Sequence, residues 1–171
     1  ARTALNEGRL SDADRLLQDA AEDDLVAIQR ADAEVERRRV RAAETIAIRG
    51  RVATLQADFT AAADLFQRAA LTAPQSDSER RSLLLLARAS VIGQAGQMQG
   101  DVSAIRQALQ FLYGDASTFG RSDQAFMAGV QSYICAFENS LTRWDGATAL
   151  TRAAAACTAA LASAAPALSR R

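Results

Sequence analysis

One spacing recurs along this chain and restricts its fold more than any other feature. In the stretch ADFTAAADLFQRAALTAP, residues 57–74, Phe59, Ala62, Phe66 and Ala69 stand at offsets 0, +3, +7 and +10, and Pro74 ends the run. The same alternation of large and small residues returns as Leu10, Ala13, Leu17 and Ala20. It returns as Ile105, Ala108 and Leu112, where the last slot falls on Asp115, and as Leu150, Ala153, Cys157 and Ala160. The first alanines of the four sets lie at 13, 62, 108 and 153, in steps of 49, 46 and 45 residues. These offsets trace one face of an α-helix. Small residues on that face let a neighbouring helix approach, and large ones fill the gaps beside it. Each set follows another long apolar-periodic segment. The repeating unit is therefore a pair of helices, and such pairs stack to bury what one pair leaves open.

Composition agrees with this reading. Among 171 residues there are 40 alanines, nine glycines and two prolines. Alanine is the best helix former, and the turn chemistry a β-sandwich needs at short spacing is missing. The chain is expected to be all-α, with helices near 2–7, 11–22, 25–56, 60–72, 77–99, 102–114, 122–142 and 145–164. Ser11-x-x-Asp14 and Ser76-x-x-Glu79 have the form of capping boxes, and Asp123 and Asp145 are candidate caps. The adjacent Asp23 and Asp24 are expected at a helix junction. LTAPQSDSE and YGDASTFGRSD read as connectors, and VIGQAGQMQG as a helix end or close-packed turn. Phe126, Val130, Tyr133, Phe137, Leu141 and Trp144 step by three and four and form a core face. Cys135 and Cys157 are in no metal-binding spacing. They are expected as core thiols; a disulfide between neighbouring helices is the alternative that spacing does not decide.

The second set carries a family resemblance. Gly50, at a close contact of the preceding helix, followed by Ala57, Phe59, Ala62, Phe66, Ala69 and the terminating Pro74, resembles the tetratricopeptide repeat (TPR). EGRLSDADRLLQDA, with Gly8 at the corner, is similar. The steps exceed the family's period of about 34 residues by 11 to 15, close to whole helical turns, as in long-repeat bacterial arrays. The resemblance implies tandem antiparallel helix pairs stacked as a right-handed α-solenoid with extended helices. It implies one domain over 1–171, with units at about 1–24, 25–75, 76–120 and 121–171. The chain begins in a helical pattern without methionine and is expected to be a piece of a larger protein.

The charge pattern bounds function. Twenty arginines balance twenty acids, with no lysine and no histidine. This removes a global electrostatic footprint for nucleic acid, the commonest acid–base residue and metal ligand, and any Schiff-base lysine. No catalytic constellation, cofactor or metal site is expected, and the chain is read as no enzyme. Its longest strongly apolar run, LLLLA at 83–87, is far shorter than a membrane span. The alanine-rich tail, broken by Pro166, reads as a packed helix. With reduced thiols, a cytoplasmic setting follows.

Between Gly8 and Gly50 there is neither glycine nor proline, so 25–56 reads as one long helix. Its most charged part, Arg30 to Arg41, admits three readings. The first is a solvated helix laced by pairs such as Glu34–Arg38. The second is a contact through Leu25, Ile28, Val35, Ala42 and Ile46, interrupted by Asp32 and Arg39. The third is an anion patch on ERRRVR.

The resemblance implies a non-catalytic interaction module that holds a protein or peptide segment on the concave faces of its first helices. By position, Glu44, Ala47, Arg51, Gln97, Gln131 and Glu138 are the candidate lining residues. The alternative is homodimerisation, or an intramolecular regulatory sensor role in a larger bacterial signalling protein. Either would act through the long helix, with Ile28, Val35, Arg37, Arg38 and Arg41 as the candidate interface.

Overall fold

The computed structural model describes residues 1–114 and 124–168. All elements among the described residues are helical: α1 Arg2–Asn6, α2 Leu10–Leu55, α3 Phe59–Thr72, α4 Ser78–Gln99, α5 Val102–Gly114 and α6 Gln124–Leu168. The chain divides into two compact units, residues 1–39 and 40–171. The connector 115–123 and the cap expected at Asp123 lie outside the described residues.

Unit 1 holds α1 and the first part of α2. Only Ala4 and Ala13 are buried among its described residues. The expected junction at Asp23 and Asp24 does not exist, because α2 runs unbroken from Leu10 to Leu55. Aspartate in a helix interior loses about 0.7 kcal/mol at most against alanine, and no glycine or proline interrupts the segment. Ser11 lies inside α2 and caps nothing.

Unit 2 holds the last part of α2 and α3 to α6. Helix α3 packs on α4, α4 on α5, and α6 on both α4 and α5. The first core cluster joins Ala43, Ala47 and Ala53 to Ala62, Phe66, Ala69, Leu84 and Val91. The second joins Leu86 and Ala89 to Ile105, Ala108, Leu112, Phe126, Val130, Ile134, Phe137 and Leu141. Thus α4 is shared by both. The glycines of VIGQAGQMQG explain how. Gly93 lies against the Phe137 ring of α6, and Gly96 against Asp101 O and Ile105 of α5. They belong to the interior of α4, which ends instead at Gly100, whose positive φ of 69° suits a left-handed cap.

The large–small spacing is used unevenly. The first alanines, Ala13, Ala62, Ala108 and Ala153, are all buried. The large slots are buried in the third set and half-buried to buried in the second, whereas Leu10, Leu17 and Leu150 are exposed.

Local signals shift by a residue or two. Asp77, not Ser76, caps α4 by accepting from Arg80 N at 3.0 Å. Asp58 caps α3 by accepting from Ala61 N at 3.0 Å. Ala57, one of the residues that carry the repeat resemblance, sits in the corner before α3 with a positive φ of 59°. Trp144 is half exposed rather than core, and Ile134 is buried in its stead. The helix also continues two residues past Pro166, to Leu168.

Helix α6 is two limbs, 124–145 and 147–168, separated by Gly146 with φ 60° and ψ −137°. Cys135 and Cys157 form a disulfide, with Cα atoms 4.7 Å apart. This corrects the expectation of free core thiols. The reversal at Gly146 brings positions equally distant before and after it face to face, which a linear spacing does not reveal. Asp145, expected to cap the second limb, lends its carboxylate to Arg106 at 2.6 Å and Arg152 at 3.3 Å.

Candidate functional site

The last turns of α2 and the stretch of α4 from Arg80 to Gln94 present matching faces. On α2, residues 43, 44, 47, 48, 51 and 55 recur every three or four positions, and on α4 residues 80, 83, 84, 87, 91 and 94 do the same. Between them run two adjoining cavities. One, about 370 Å³, is walled by Ala43, Glu44, Ala47, Ile48 and Arg80. The other, about 480 Å³, is walled by Thr54, Leu55, Phe66, Ala87, Ser90, Val91 and Gln94. Arg51, Leu83 and Leu84 line both, so the two form one groove with Arg51 at its waist.

The groove is apolar along its walls, and its charges are distributed unequally. At one end Arg80 donates to Glu44 Oε1 at 2.6 Å and to Asp77 Oδ2 at 2.8 Å. The side-chain bond from Arg80, then the backbone N–H of Arg80, holds the Asp77 carboxyl below its ordinary value. The Asp77 bond raises the Arg80 guanidinium in turn. Glu44 and Arg80 therefore compensate each other. Among the described residues Arg51 enters no hydrogen bond or ion pair, and it is exposed.

Three of the six expected lining residues, Glu44, Ala47 and Arg51, meet in this groove. The others lie elsewhere. Gln97 donates to Ser140 Oγ at 2.6 Å and lines a separate cavity of about 340 Å³ with Ile105, Asn139 and Trp144. Gln131 is half-buried on the first limb of α6. Glu138 is 2% exposed and lies in the interior. It accepts two bonds from Arg152 Nε, at 3.0 and 2.9 Å, and one from Tyr113 Oη at 3.1 Å. Burial, then the Glu138 charge, pushes the Tyr113 hydroxyl up to about 12. An isolated buried carboxylate is costly, so position alone placed Glu138 on a surface that its own partners exclude.

The charged segment of α2 behaves as a laced helix. Arg38 Nε donates to Glu34 at 2.8 Å and Arg37 Nε at 3.0 Å. These bonds hold the Glu34 carboxyl below its ordinary value, Arg38 contributing most. Ile28, Val35, Arg37, Arg38 and Arg41 are all exposed. The groove floor at Leu83 and Leu84 is visible in the sequence only as a short apolar run. Its role depends on which of the four leucines turn toward α2. No family model, curated protein or solved structure matches the chain.

Proposed function

We propose that unit 2 is a non-catalytic protein-interaction module of TPR-like stacked helix pairs, and that the α2–α4 groove holds a partner segment. One observation carries the reading: an unpaired guanidinium, Arg51, stands at the waist of an apolar groove whose other charges are compensated. The complementary ligand is a peptide segment with a carboxylate flanked by large apolar side chains. The carboxylate would take charge-assisted bonds from Arg51. The apolar side chains would fill the lobes beside Leu83 and Leu84. The small slots at Ala62, Ala69 and Ala108, the close approach of the Phe66 ring to Gly50, where a Cβ would stand 3.2 Å from it, and the helix-on-helix order of α3, α4 and α5 support the stacked-pair reading.

Among the described residues no helix is long and apolar enough to cross a membrane. The Cys135–Cys157 disulfide favours an oxidising compartment over the cytoplasmic setting that free thiols would suit.

A peptide library displayed on phage and selected against the whole chain tests the proposal. Selected sequences are expected to carry Asp or Glu between large apolar residues and to lose binding to both Arg51→Glu and Leu83→Asp. Peptides that bind these variants as well as the parent would overturn it.

A further inference from the structure

The first part of α2 leaves an apolar stripe uncovered. Leu17, Leu25, Ile28 and Val35 lie on one helix face within 80° of arc at about 100° per residue, and they are 52%, 58%, 56% and 49% exposed. Three charged residues share that face, Asp14 near its beginning and Asp32 and Arg39 near the far end of unit 1, and the beginning of the helix is the more acidic. Asp12, Asp14, Asp19, Glu22, Asp23 and Asp24 fill its beginning, with Arg15 as the one base there. Arg37, Arg38 and Arg39 stand at the far end of unit 1, interleaved with Asp32, Glu34 and Glu36 and bonded to the two glutamates. Among the described residues Asp14, Asp19, Asp23, Asp24 and Arg30 enter no ion pair.

We infer that this segment pairs with the same segment of a second copy of the chain, antiparallel, about a two-fold axis near Val26 and Ala27. The stripe is close to self-complementary in that register. Leu25 of one copy meets Ile28 of the other, and Leu17 meets Val35. Ala21 lies opposite the Ala31–Asp32 turn, where a small residue allows close approach. On the stripe's own face Asp14 then stands opposite Arg39, and Asp32 opposite Ala21, while Asp23 and Arg30 point away from the pair at about 100° per residue. A parallel pair sets Asp14, Asp32 and Arg39 each against its own copy. Repulsion of this kind selects orientation in paired helices. An isologous two-fold contact also closes on itself, so it ends at a dimer.

The test uses the full chain with its native disulfide intact. Light scattering across a micromolar to submillimolar range is expected to show a monomer–dimer equilibrium, and Ile28→Glu/Val35→Glu should abolish the dimer while circular dichroism keeps its helical signal. Orientation is read by oxidative cross-linking. Leu17→Cys/Val35→Cys is expected to give a covalent dimer. Val35→Cys alone is not, since its two copies stand about 25 Å apart at ~1.5 Å per residue. Asp14→Arg and Arg39→Asp should each weaken the dimer, and their combination should restore it. A monomer at every concentration overturns the inference. So does cross-linking of Val35→Cys alone, which is the signature of a parallel pair.

Discussion

Gly93 of α4 lies so close beneath Phe137 of α6 that a Cβ at position 93 would overlap three carbons of the ring. Helix α4 thus has no side chain where the ring of α6 crosses it, and the second core closes around that contact. An alanine there would meet a stiff aromatic ring rather than a flexible chain end. Gly93→Ala is expected to destabilise the chain by about 3 kcal/mol, the upper end of overpacking effects, read as a shift in urea midpoint. Gly50→Ala, whose Cβ would stand 3.2 Å from the Phe66 ring, should cost less. Equal effects at the two positions would contradict the tighter packing at Gly93.

The second limb of α6 is held by little apolar surface. Among the residues whose burial is described, it buries Ala149, Ala153 and Ala156. Its attachment therefore rests on the disulfide and on Arg152 bound to Glu138. Closing a loop with cysteines 22 positions apart is worth about 3 kcal/mol in the chain-entropy picture. Reduction, or Cys157→Ser, is expected to lower stability by that order. It should also raise hydrogen exchange in 147–162 well before exchange rises in α3 and α4. Uniform loss of protection across unit 2 would count against a separately held limb.

Ala57 occupies the left-handed region at the corner between α2 and α3. An L-residue with a Cβ costs roughly 1–2 kcal/mol there. Ala57→Gly removes that strain but adds unfolded-state freedom worth about 0.4–1 kcal/mol. The expected net is a stabilisation of about 0.5–1 kcal/mol, measured as a raised thermal midpoint. A lowered midpoint would show that the corner is unstrained.

Tyr113 supplies the alkaline dependence. Its hydroxyl ionises near pH 12 in the folded chain and near 10 in an unfolded one. Between these values the unfolded state has released a proton that the folded state retains, so stability falls as pH rises from about 10 to about 12. Tyr113→Phe should flatten this fall, and the difference between the absorbance titrations of parent and variant should show an ionisation near 12. A difference titration centred near 10 would refute the placement beside Glu138.

The reach of the sequence differs from place to place. The helices around Ala62, Ala69 and Ala108 are legible because small residues spaced by three or four among large ones mark a helix face with a close neighbour. Half of the groove is legible as well, since Glu44, Ala47 and Arg51 share one face of α2 by spacing alone. Leu83 and Leu84 are not, because a run of four leucines does not say which of them turns inward. The cap of α4 slips by one position, from Ser76 to Asp77, because serine and aspartate compete for the same role at neighbouring sites.

Local chemistry fixed the all-α class and the close contacts at Gly50. Breaker scarcity and small–large spacing act within a few turns, so both can be read without knowing what lies opposite. What lies opposite was decided by tertiary structure. The turn at Gly146 sets Cys135 on Cys157 and Glu138 on Arg152, and the Phe137 ring takes the space left by Gly93. Each of these pairings joins residues fourteen or more positions apart. Its energy depends on distance in space, which no local pattern encodes.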